Sequence, residues 1–147
     1  MTVGVPDNPW KHCSMQTSKC PCGSGKDLAQ CCGLYLQGRA LPETAMALMR
    51  SRYSAYVLQE IDYLKETLWP KFQPAFDFEG TARWASENHW VGLTVIQFQN
   101  GGRDDRAGTV LFEANYLSGG QMHKHRELSK FRKKAGRWYY VEAIAET

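Results

Sequence analysis

Trp90-Val91-Gly92-Leu93-Thr94-Val95-Ile96-Gln97-Phe98 is β-branched and aromatic, and it runs into a turn at Asn100-Gly101-Gly102. The same pattern recurs downstream. Thr109 to Leu117 ends in Ser118-Gly119-Gly120, Met122 to Arg132 ends in Lys133-Lys134-Ala135-Gly136, and Arg137 to Ile144 follows. Strand-forming segments joined by short Gly-rich turns predict an antiparallel run of four strands. Upstream the period changes. From Glu43, the residues Ala45, Leu48, Met49, Arg52, Tyr53 and Tyr56 fall on one stripe at about 100° per residue, which predicts a helix with Pro42 in its first turn. A second short helix is expected from Ile61 to Leu68, stopped by Pro70 and Pro74, and a third between Phe76 and Glu87. Helices followed by consecutive antiparallel strands predict an α+β fold with the helices on one face of a curved sheet.

The chain has 147 residues and a mass of 16.7 kDa, enough for one domain with a core of its own. An apolar fraction of 43% and a charged fraction of 22% exclude a wholly disordered, collagenous or coiled-coil chain. Mean hydropathy is −0.49, and no stretch approaches the roughly 18–20 apolar residues of a membrane span. The first residues carry neither a basic nor an apolar leader segment, so a cytoplasmic location without membrane association is expected. The net charge of +3 is too mild to argue for a nucleic-acid partner by itself.

The chemistry concentrates in Cys20-Pro21-Cys22-Gly23-Ser24-Gly25 and Cys31-Cys32-Gly33. Four thiols in so short a stretch, with none further on, point in a reducing compartment to metal rather than to a disulfide framework. Cys20, Cys22, Cys31 and Cys32 match the tetrahedral thiolate preference of zinc, and a four-thiolate site closes the coordination sphere, so one structural Zn²⁺ per chain is expected. Gly23 and Gly25 allow the tight turn, and their backbone N–H groups are expected to bond to the sulfurs. The spacing fits neither common ferredoxin pattern, no C-x-x-C redox pair is present, and Gly23-Ser24-Gly25-Lys26 lacks the frame of a phosphate loop. His12 and Cys13 read as bystanders. The organisation expected is a flexible lead over 1–19, a zinc module over 20–41 and an α+β domain over 42–147.

These cysteines resemble the SEC-C motif, the zinc-binding tail of the bacterial translocation ATPase SecA. Leu48-Met49-Arg50-Ser51-Arg52-Tyr53-Ser54-Ala55-Tyr56, Asp62-Tyr63-Leu64, Trp90 to Val95, Glu127-Leu128-Ser129-Lys130-Phe131 and Gly136-Arg137-Trp138-Tyr139-Tyr140-Val141 resemble the YchJ family. The resemblance covers Cys20 to Val141. It implies zinc binding, a fold similar to nuclear transport factor 2 (a cone of curved sheet closed by helices) and, through the SecA tail, a protein partner linked to translocation or to the ribosome. Some YchJ-like chains carry a second SEC-C motif C-terminally. None occurs up to Thr147, so a function that requires two zinc modules is not expected.

Alternation places His123, His125, Glu127, Ser129 and Phe131 on one face of the third strand, and Phe131 marks that face as inward. Val110, Phe112, Ala114 and Tyr116 share a face of the second strand, and Trp138, Tyr140, Glu142 and Ile144 share one of the fourth. The expected result is an aromatic concavity holding Glu127, Ser129, His125 and Tyr116, with Arg52 entering from the helix. A buried charge must be paired, so Arg52 and Glu127 are expected to form an ion pair fixing the helix on the sheet. The alternative is a small-molecule or enzymatic pocket with Glu127 or His125 as general base. Lys124, Arg126, Lys130, Arg132, Lys133, Lys134 and Arg137 read as a solvated edge and turn, or alternatively as an RNA-binding strand over 124–137. The reading preferred overall is a zinc-binding adaptor that displays a protein- or ribosome-binding surface. No catalytic constellation is identifiable, and the oligomeric state is not legible.

Overall fold

The computed structural model describes residues 18–146. Helix α1 spans Cys32–Leu36, α2 Ala45–Leu58, α3 Ile61–Glu66 and α4 Phe78–Glu87, with 3₁₀ turns at Leu28–Gln30 and Pro70–Ala75. Strands β1 (His89–Asn100), β2 (Ala107–Ser118), β3 (Gln121–Lys134) and β4 (Arg137–Glu146) form one antiparallel sheet in the order β1-β2-β3-β4. The fold is α+β, as the sequence pattern predicts. His12 and Cys13 lie outside the described residues.

Helix α2 starts later than expected, at Ala45, because Thr44 caps it, which leaves Pro42 outside the helix. The Thr44 hydroxyl accepts from the Ala47 N–H at 3.0 Å. Likewise α4 begins at Phe78, after Asp77 accepts from the Gly80 N–H, and Pro74 sits inside a 3₁₀ turn rather than ending a helix. The apolar stripe of α2 delivers Ala45, Leu48, Met49 and Tyr53 onto Val110, Ala114, Phe131 and Trp138 of the sheet's inner face. The Trp138 indole N–H donates to the Glu43 carbonyl, tying the last strand to the residues just before α2.

The sheet bends at irregularities. Extra residues on β1 fall at Val91 and Ile96, and on β4 at Val141 and Ile144. Strand β3 pairs with β2 without interruption, so its alternation holds and Glu127, Ser129 and Phe131 are all buried. On β4 strict alternation fails. The shift at Val141 turns Glu142 and Ile144 away from Trp138 and Tyr140, and both are exposed.

Gly101 and Gly108 meet where α2 begins. The Gly101 carbonyl accepts from the Ala45 N–H at 2.8 Å, and a Cβ on Gly108 would lie 2.5 Å from the Gly101 backbone. Backbone on both sides cannot yield as a flexible side chain would. Gly108→Ala is therefore expected to cost about 1–3 kcal/mol. A urea midpoint unchanged from wild type would show that the β1–β2 turn is looser than described.

Candidate functional site

The four cysteines converge. Their Sγ atoms all lie within 4.8 Å of one another, and Cys22 Sγ is 3.7 Å from Cys31 Sγ. A tetrahedron of thiolates with metal–sulfur bonds near 2.3 Å has edges of about 3.8 Å, so the donor set fits a four-thiolate metal. A disulfide would need about 2 Å, and all four thiols are free. The thiols also perturb one another. Bonds from Cys20 and Cys32 push Cys22 well below its ordinary thiol value, whereas Cys20, Cys22 and burial push Cys32 far above it.

The module closes by backbone pairing. Cys20 N–H donates to Lys26 O, Lys19 bridges to Asp27, and Gly23 (φ +84°) and Gly25 (φ +86°) make the turn between. The backbone N–H groups that reach the sulfurs are not those of the glycines: the Cys22 N–H bonds to the Cys20 sulfur and the Ser24 N–H to the Cys22 sulfur, while the Gly23 N–H donates to the Cys20 carbonyl. Hydroxyls join them, Ser24 Oγ at 3.2 Å from Cys31 Sγ and Ser54 Oγ at 3.6 Å from Cys20 Sγ. Ser54 belongs to α2, and Arg50 of the same helix donates to the Cys22 carbonyl at 2.8 Å. The module is thus fastened to the helix that carries the core. Leu58 and Leu93 complete its apolar seat.

The second feature is a cavity of about 110 Å³ between α2, α4 and the inner face of the sheet. It is lined by Arg52, His125, Glu127 and Ser129, beside Tyr140, Trp84 and Trp90. Tyr116 stands next to it, packed on Trp84, Trp90 and His123. Glu127 is the anionic centre. Oε2 accepts from Ser129 Oγ at 2.5 Å and from Tyr140 Oη at 2.8 Å, and Oε1 lies 2.9 Å from His125 Nε2. Burial works to raise the carboxyl, but the bonds from His125, Ser129 and Tyr140 outweigh it and hold Glu127 below its ordinary range. The bond to Glu127 raises His125, and burial together with the Glu127 charge raises Tyr140.

Arg52 and Glu127 do not form the expected ion pair. Arg52 Nη1 donates to Leu64 O at 2.9 Å and to Thr67 Oγ1 at 2.7 Å, at the C-terminal end of α3, where carbonyls favour a cation. Its guanidinium carbon lies 4.6 Å from the centre of the Tyr140 ring, so the ring stands where the salt bridge was expected. Glu146 also comes close, with a ligand atom within 4.8 Å of those of His125 and Glu127. The approach depends on the β4 register, which sequence does not reveal. Trp84 was likewise missed; its only sequence signal is that it lies on the helix preceding β1.

The basic strand is largely engaged. Lys124 and Arg126 flank Glu113 at 3.8 and 3.6 Å, and Arg137 reaches Glu66 at 3.5 Å. Arg132 and Lys134 both lie over Trp69, and Lys133 donates to the Arg103 carbonyl.

Two expectations follow from the Glu127 cluster. Glu127→Gln should cost about 1.5–3 kcal/mol, because buried hydroxyls lose a charged acceptor. The bond between His125 and Glu127 should make stability depend on pH. His125 is raised from 6.5, so its contribution is present below that value and is lost as pH rises through the higher folded value. Glu127 is lowered from 4.5, so its contribution is present above that value and is lost on acidification. The destabilisation caused by His125→Gln should therefore be larger near pH 6 than near pH 9 in chemical denaturation. Equal losses at both pH values would mean that His125 stays neutral.

The comparisons with known proteins agree with this architecture. The family description "YchJ, middle NTF2-like domain" matches residues 44–143, and the SEC-C motif matches residues 17–34. A UPF0225 protein of Geobacter sulfurreducens is 40% identical over 126 residues, which span 86% of this chain and 78% of that one. The solution structure of an SEC-C motif-containing protein from Rhodopseudomonas palustris superposes with a TM-score of 0.79 at 40% identity, covering 86% of this chain and 97% of that one. A crystal structure of an SEC-C motif-containing protein from Psychrobacter arcticus gives 0.76 at 30% identity, covering 91% and 85%. No helix among the described residues is long and apolar enough to cross a membrane.

Proposed function

The chain belongs to the YchJ family, and on that premise we propose that it is a zinc-structured adaptor. Cys20, Cys22, Cys31 and Cys32 would hold one Zn²⁺, and the loop they tie would be offered to a protein partner on the ribosome or the translocation machinery. The observation that carries this reading is the division of the module into two halves. Cys20, Cys22 and Cys32 are buried against α2, while Gly23, Ser24, Gly25 and Lys26 between the ligands are all exposed. Four thiolates leave no coordination position for water or substrate, so the metal's contribution is shape. The fastening through Ser54 and Arg50 gives the exposed loop a fixed orientation on the cone. The resemblance of the motif to the SecA tail supports the class of partner, and a cytoplasmic location goes with it.

Two measurements test this. Chain isolated without chelator should contain one zinc per chain, and its thiols should react only after chelation or denaturation. Chelation should loosen residues 20–33 before the cone, because metal binding and folding are coupled in small zinc modules. A metal-free module with reactive thiols and an ordered fold would remove the premise. The second measurement is co-sedimentation of the zinc-loaded chain with purified ribosomes at moderate salt. Binding should be lost in Cys22→Ser and weakened severalfold in Lys26→Glu. Absence of binding, or binding indifferent to both changes, would refute the assignment of this surface.

A further inference from the structure

The cone cavity has a charge pattern that its protein neighbours do not complete. Arg52 lines it, and only Nη1 of the guanidinium is bonded to the described residues. No carboxylate among them lies within 4.0 Å of it. Its remaining N–H groups are not among the buried atoms lacking partners, so they open on accessible space. Glu127, the acid expected to pair with Arg52, stays ionised but already has both oxygens hydrogen-bonded. A carboxylate offers about four lone-pair sites, and three donors fill most of them. Ser129 and Tyr140 are committed as donors to Glu127 and are not free for a ligand.

The walls supply the rest. Trp84 and Trp90 have ring centres 4.9 Å apart at 69°, and Tyr56 lies 5.7 Å from each of them. Tilted and edge-on rings of this kind accept another flat ring. A volume of about 110 Å³, below the ~150 Å³ that encloses a benzene, limits the ligand to a single ring, which the half-open cavity holds without fully enclosing it. An aromatic cage can also take a cation, but a cation entering here would meet the guanidinium of Arg52 and a carboxylate already bonded.

We propose that the cone cavity binds a small arene carboxylate, with its ring against the wall formed by Trp84 and Trp90 and its carboxylate on the free edge of the Arg52 guanidinium. The planar fork of arginine matches two carboxylate oxygens at once, which makes this chemistry more favourable than that of a spherical anion. The site is separate from the zinc loop, so the result below does not depend on the ribosome experiment.

The test is a titration of the zinc-loaded full chain, isotope-labelled on the indole nitrogens, with benzoate, benzyl alcohol and benzylamine at constant ionic strength. Benzoate should shift the indole N–H signals of Trp84 and Trp90 saturably, and at least tenfold more tightly than the other two. Arg52→Gln should weaken benzoate at least tenfold while the spectrum stays dispersed, and Arg52→Lys should lie between. Should Arg52→Gln fail to fold, the order of the three probes on the wild-type chain decides. Tighter binding of benzylamine would overturn the proposal and make Glu127 the recognition group. Equal binding of all three would assign the cavity to its walls alone. No saturable shift at millimolar benzoate would also overturn it.

Discussion

Ser51, Ser54 and Ala55 are completely buried, and the organisation of the molecule depends on that. They sit on the part of α2 that does not face the sheet, where a typical surface helix would carry charge. Small side chains let other elements approach the backbone closely, and each hydroxyl finds a partner. Ser51 Oγ donates to Leu48 O and pairs with Tyr63 Oη at 2.7 Å, while Ser54 meets Cys20. Helix α2 is therefore shared. The sheet takes its apolar stripe, α3 takes the Ser51 side and the cysteine module takes the Ser54 side. A larger residue at any of the three positions would wedge two parts of the molecule apart at once.

The charged groups of the cone follow a related economy. Tyr140 serves Arg52 and Glu127 with different parts of one ring. The electron-rich face receives the guanidinium, and the hydroxyl at the rim donates to the carboxylate. Opposite charges are coupled through an aromatic spacer without the desolvation that direct contact would demand. That leaves each charge one side free of the other, and the cavity opens there.

What could be read in advance divides along physical lines. Glycines at Gly101, Gly119, Gly120 and Gly136 all have positive φ, so the hairpin positions follow from residue type. The inward face of β3 follows from alternation because β2 and β3 pair without a shift. The shift at Val141 has no such signal. Neither glycine nor proline marks it, so alternation alone keeps Glu142 and Ile144 on the face of Trp138 and Tyr140. The partner of Arg52 was misassigned for another reason. Charge balance pointed to Glu127, but the groups that hold Arg52 are a main-chain carbonyl and a hydroxyl near the end of α3, and their proximity is a product of helix packing. The cysteine donors were legible because a chelate on a short loop is local. Their contact with Ser54, 34 residues away, was not.

The bond from the Trp138 indole to the Glu43 carbonyl joins positions 95 residues apart. At a synthesis rate of ~5–20 residues per second, roughly 5–20 s separate the emergence of its two halves. The cysteine loop, whose closing contacts are local, can be complete within that interval. Helix α2 cannot bury Leu48 and Met49 until the final hairpin arrives with Phe131 and Trp138. A nascent chain can therefore carry a closed cysteine loop attached to a helix whose apolar stripe still faces water. That interval is when the chain is most exposed to aggregation, and it ends only as the last strand leaves the ribosome.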